Sequence, residues 1–148
     1  MKKLIVLISI SITFQNLFSQ IGKIENKHAC EPCSRTFNRF TNSILNKKVD
    51  SVANFFTDSM KTRFRDYDSN SLKRFITLKW INNKSFTTSL KKGKYILTDF
   101  VENSFKAQIT VNFKSSNNED DGDNRIVYFI IFEKILGHYK IYFIDMAD

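Results

Sequence analysis

Glycine and proline are scarce in this 148-residue chain, at four and one, and cysteine occurs only twice. So few turn-formers argue against a loop-rich disulfide scaffold. Two cysteines allow one bridge but cannot staple a mini-protein. The apolar stretch over residues 4–14 falls short of the ~20 residues that cross a bilayer comfortably. Missing too is any motif that names a reaction. What is abundant is phenylalanine, with 15 copies within an apolar content of 42%. That supply suits a packed core and argues against global disorder.

Residues 1–19 have the pattern of a secretory signal. Lys2 and Lys3 give the positive start, the apolar stretch is broken only by Ser and Thr, and Ser19 precedes Gln20. Leu17 stands where an A-x-A cleavage site has Ala, so a retained anchor is the competing reading. Cys30 lies too far beyond the apolar run for a lipoprotein. The expectation is an exported protein, periplasmic or extracellular, with no stable membrane anchor after cleavage. Cleavage after Ser19 removes two lysines from a net charge of +8. The remaining basic residues, among them Lys47, Lys61, Lys73 and Lys91, are scattered. That spacing predicts a solvated basic surface with weak attraction to anionic lipid or polysaccharide, and no nucleic-acid partner.

After an extended lead-in over residues 20–33, helical spacing opens at Ser34, with Phe37, Phe40, Ile44 and Leu45 on one side and Arg35, Asn38, Arg39 and Asn42 on the other. Val52, Phe55, Phe56 and Met60 mark a second helix, for which Asp50 is the candidate cap. Residues 66–71 read as a turn, after which Ser69 or Ser71 caps a third helix with the stripe Leu72, Phe75, Ile76 and Trp80. Residues 85–90 read as a short edge strand. A further strand starts at Tyr95 and continues, through a bulge near Glu102 and Asn103, into residues 104–114. There Phe105, Ala107, Ile109, Val111 and Phe113 alternate strictly with polar residues. Residues 125–135 and 139–144 are apolar on both faces and predict the interior strands. Asp121-Gly122 and Leu136-Gly137-His138 supply the turns. Helices followed by antiparallel strands predict an α+β fold in which the helical stripes roof the sheet. At ~25 cal/mol per Å² of buried apolar area, that roofing is the dominant favourable contribution.

The spacings Phe37-x-x-Phe40-x-x-x-Ile44-Leu45 and Val52-x-x-Phe55-Phe56, with Phe132-Glu133-Lys134 and Gly137-His138-Tyr139-Lys140-Ile141 near the other end, resemble the nuclear-transport-factor-2-like (cystatin-like) superfamily. The resemblance covers roughly residues 34–146. It implies a single cone-shaped domain over 34–148, with helices in the concave face of a curved antiparallel sheet and a pocket at the open end. The superfamily includes enzymes, ligand binders, immunity proteins and small exported bacterial proteins, so the fold does not give the function.

Cys30-Glu31-Pro32-Cys33 has the spacing of a redox motif, and a cysteine at a helix start gains from the positive helix end. A thioredoxin-type site needs a preceding strand in a βαβ unit, and none is visible. Haem attachment needs His in place of Ser34, and zinc lacks ligands beyond the distant His28 and His138. The leading reading is one local structural disulfide, with no cofactor and no metal. Residues 117–123 superficially suggest a calcium loop, but Tyr128 occupies the position where that loop needs Glu. His138, Asp99 and Asp145 are the weak catalytic candidates, with Glu102 and Glu133 as further carboxylates on strand-like stretches. An inward carboxylate at a pocket would serve as a general base, whereas surface pairing with Lys is the plainer alternative. Trp80, Tyr95, Tyr128 and Phe132 are aromatics available to line a ligand pocket, although such stripes are more often core.

The reading is therefore an exported, non-catalytic binding or interaction module, its partner a small molecule or protein, with homodimerisation through the sheet face as an option. The alternatives are a hydrolase- or isomerase-like enzyme using Asp99 or Asp145, and a toxin-immunity protein.

Overall fold

A computed structural model describes residues 30–67, 71–113 and 124–147. The expected signal segment, the lead-in before Cys30, Ser69 and the acidic turn at Asp121-Gly122 lie outside the described residues.

The first helix, α1, spans Glu31–Leu45 and so starts earlier than the expected Ser34. Cys30 itself is the cap: its Sγ accepts the Cys33 N–H at 3.2 Å. Pro32 fits the first turn, where a missing N–H leaves no helical bond unmade. Phe37, Phe40 and Ile44 are fully buried along one side. The helix closes in a Schellman turn, with Lys47 at φ 56° and the Lys48 N–H on Ser43 O at 2.9 Å.

The expected second helix is split in two. Helix α2, Val49–Ala53, is capped at Lys48 rather than Asp50, and Met60 belongs to a separate helix, α3, Asp58–Tyr67. Strand pairing ends α2: Phe56 bridges Ile141, with Ile141 N–H on Phe55 O at 2.6 Å and Thr57 N–H on Ile141 O at 2.9 Å. The next helix begins as α4, Ser71–Phe75, and continues as a π-helical stretch, Ile76–Ile81, with the Asn82 N–H on Thr77 O at 2.8 Å. The wider turn sends Ile76, Trp80 and Ile81 inward. Residues 85–90 are not an edge strand but part of a helix, α5, Lys84–Lys91. Asn83 Oδ1 accepts the Phe86 N–H at 3.0 Å, and this cap, with Phe86, Ser89 and Leu90 buried at helical spacing, outweighs the β-leaning Thr87 and Thr88.

Four strands form an antiparallel sheet in chain order: β1 Tyr95–Asp99, β2 Ser104–Phe113, β3 Asn124–Ile135 and β4 His138–Ala147. The expected bulge between β1 and β2 is a hairpin turn instead. Ser104 N–H bonds to Val101 O at 2.9 Å, and Asn103 adopts a φ of 61°, which asparagine tolerates better than most residues. The irregularity lies elsewhere, between Ile131 and Phe132, where Tyr142 is passed over in the β3–β4 register. Strand β2 buries Phe105, Ala107, Ile109 and Val111 as its alternation predicts.

The helices pack on the face formed by these residues with Leu97, Tyr128, Ile130, Phe132 and Ile141, giving one apolar cluster. Trp80 ties the helices together, stacked on Phe86 at 5.9 Å and edge-on to Phe40 at 5.4 Å, and those two rings in turn meet Tyr128 and Phe132 of the sheet. The opposite sheet face carries Ile96 and Phe143, about two-fifths exposed, and Phe129, with Lys106 Nζ 5.5 Å from the Phe129 ring.

Candidate functional site

Two grooves meet at the start of α1, and Tyr139 lines both. Its position, next to the first residue of β4, turns the ring toward the helical layer, where it packs edge-on against Phe105 at 5.1 Å. The hydroxyl then lies 3.4 Å from Cys33 Sγ and 3.5 Å from Cys30 Sγ. The two cysteines are joined in the local disulfide that their spacing suggests, with Cα atoms 5.1 Å apart. Cys33 is 1% exposed and Cys30 is half-buried, so Cys30 is the more open residue of the pair.

The larger groove, of about 620 Å³, runs between α1, the segment after α2 and the β3–β4 hairpin. Arg35 and Arg39 enter it from successive turns of α1; Lys134, His138 and Lys140 enter from the hairpin. Among the described residues, no carboxylate lines it. Glu31 bonds Arg35 at 2.6 Å from outside the groove, and Lys140 donates to Asn54 O at 2.6 Å, which ties the hairpin to the helical layer. The hairpin turn is Leu136-Gly137, with φ values of 49° and 82°, the positive pair that a type I′ turn requires. Leu136 is 95% exposed at the tip.

The smaller groove, of about 490 Å³, lies on the other side of Tyr139 and borders both cysteines. Its far wall is the β1–β2 turn, with Asp99, Phe100, Val101 and Glu102. Phe100 and Val101 are about half exposed, an apolar shelf beside the sulfurs.

The catalytic candidates do not converge. His138 is exposed on the basic groove, Asp99 is exposed on the rim of the disulfide groove, and Asp145 lies on the outer sheet face opposite Phe129. Glu102 and Glu133 are exposed as well. Ion pairs among the described residues use other carboxylates: Glu31 with Arg35, Asp58 with Lys61 and Asp50 with Lys73. No inward carboxylate of the kind a general base needs is found at these positions. The four pocket aromatics are core residues, none more than 6% exposed, and none lines either groove. Burial raises the pKa values of Tyr95 and Tyr128 above the ordinary 10.0. Among the described residues, no group of three or more His, Cys, Asp or Glu is placed to hold a metal, and no helix is long and apolar enough to cross a membrane.

Sequence reasoning missed the basic set. Arg35 and Arg39, four apart on the polar side of a helix, were the visible half; their meeting with Lys134 and Lys140 depends on the tertiary fold. Tyr139 was missed as a neighbour of the cysteines for the same reason. No protein-family model, curated protein or solved structure matches this chain.

Proposed function

We propose that the chain is an exported interaction module, of the nuclear-transport-factor-2-like type, that takes an acidic protein segment in the groove between α1 and the β3–β4 hairpin. The observation that carries this reading is the one-signed lining. Arg35, Arg39, Lys134 and Lys140 bring four cations to one concave surface with His138, while Glu31 pairs with Arg35 from outside that lining, which leaves the wall net positive. A concave cationic wall concentrates field lines and raises the local density of anionic partners. Leu136, exposed at the lip, offers the apolar anchor that a peptide or protein partner would use.

Export is supported by the pattern over residues 1–19 and by the disulfide, since such bonds persist in oxidising compartments. The order of helices and then an antiparallel sheet supports the family resemblance.

The test is binding of a fluorescein-labelled polyglutamate peptide by anisotropy. Affinity should fall as salt rises and should drop at least about tenfold in the Arg35→Glu, Arg39→Glu double variant, whose melting point checks that it folds. Equal affinities for wild type and double variant would refute the groove.

A further inference from the structure

We propose that Cys30 and Cys33 form an exchangeable thiol–disulfide couple, with Cys30 the sulfur that partners attack, and that the groove under the β1–β2 turn receives a cysteine-bearing peptide. This goes beyond the basic groove and needs no acidic partner; either can fail alone.

Four observations converge on it. The disulfide closes the first turn of a 15-residue helix, where the positive helix end favours a thiolate. The Cys33 N–H already points at Cys30 Sγ, at 3.2 Å, and would hold the charge of a Cys30 thiolate. Exposure is unequal: Cys33 is 1% exposed while Cys30 is half-buried, so Cys30 is the more open of the two to an incoming thiolate. Finally, the bond does not sit under the fold but opens onto a groove of about 490 Å³. Phe100 and Val101 give that groove an apolar wall for a peptide, and Asp99 and Glu102 disfavour a multiply anionic small thiol. A bridge needed only to fix the helix entry would require neither the groove nor the asymmetry.

The exchange balances as a two-electron transfer with a peptide dithiol as reductant. One substrate thiolate attacks Cys30 Sγ. The Cys30–Cys33 bond breaks, and its electron pair leaves on Cys33, which accepts a hydrogen bond from the Tyr139 hydroxyl at 3.4 Å and takes a proton from water. The second substrate thiolate attacks the substrate sulfur of the mixed disulfide and releases Cys30 as thiolate. The substrate ends as a disulfide and the protein as a dithiol; the reverse sequence reduces a substrate disulfide.

The experiment uses the full chain and two single variants. Iodoacetamide alkylation at neutral pH should modify Cys30 in the Cys33→Ser variant at least about tenfold faster than Cys33 in the Cys30→Ser variant. The oxidised wild type should react with dithiothreitol under native conditions, faster than its own global unfolding measured by hydrogen exchange. Cys33→Ala serves if Cys33→Ser does not fold, and Tyr139→Phe, which keeps the ring against Phe105, should slow release of Cys33. Equal alkylation rates, or reduction no faster than unfolding, would overturn the proposal and leave a structural bridge only. Polyglutamate binding is untouched by these outcomes.

Discussion

At the scale of single residues, the hairpin tip holds an expensive choice. Leu136 sits at a φ of 49° with its side chain in solvent, a conformation that costs an L-residue with a branched side chain ~1–2 kcal/mol. Asparagine tolerates this region and favours the type I′ turn. Leu136→Asn should therefore raise the unfolding free energy in urea by about 1 kcal/mol. If Leu136 anchors a partner, the same substitution should weaken a natural protein partner more than polyglutamate. Other residues were legible from their neighbours alone: the cysteine spacing gave the bridge, and the alternation gave Phe105 to Val111 as core. Tyr139 beside those sulfurs was not, because the hydrogen-bonding pairs are 106 and 109 residues apart.

At the scale of elements, local chemistry decided where the reading held. The alternating β2 was readable because a strand's period survives any packing partner, and apolar residues on both faces rightly put β3 inside the sheet but not β4, which lies at its edge. Residues 85–90 misled because Thr87 and Thr88 favour strands, while the deciding group, the Asn83 cap, lies just outside the run. Asn83→Ala should cost about 1 kcal/mol, seen as lowered stability with the α5 amides exchanging first. The second helix was misread for a different reason. Its apolar stripe is real, but Phe55 O and the Thr57 N–H are bonded to Ile141 in a distant strand, and no helical period records that. The π-helical stretch is equally silent in sequence, since Ile76, Trp80 and Ile81 suit an ordinary helical stripe almost as well.

For the whole molecule, the layers are joined by aromatic burial, and that burial sets an alkaline limit. Tyr95 and Tyr128 have pKa values raised by desolvation, so the folded state holds their protons to higher pH than the unfolded chain does. Their contribution is fully present below the unfolded value near 10.0 and is lost as pH rises through the higher folded values. Urea unfolding across the alkaline range should show stability falling above pH ~10, and less steeply in Tyr128→Phe, which keeps the edge-on contact with Phe86. The α+β class was legible as a whole because stretches with helical apolar spacing precede a run of strand-like ones. The basic groove was not, because its walls come from two ends of the chain.

The strap at residues 55–57 has a consequence in time. Its backbone partners belong to Ile141 in the last of the described strands to leave the ribosome. Until that strand emerges residues 55 and 57 lack their backbone partner, so this one strap latches later than the contacts the helices make with β1, β2 and β3.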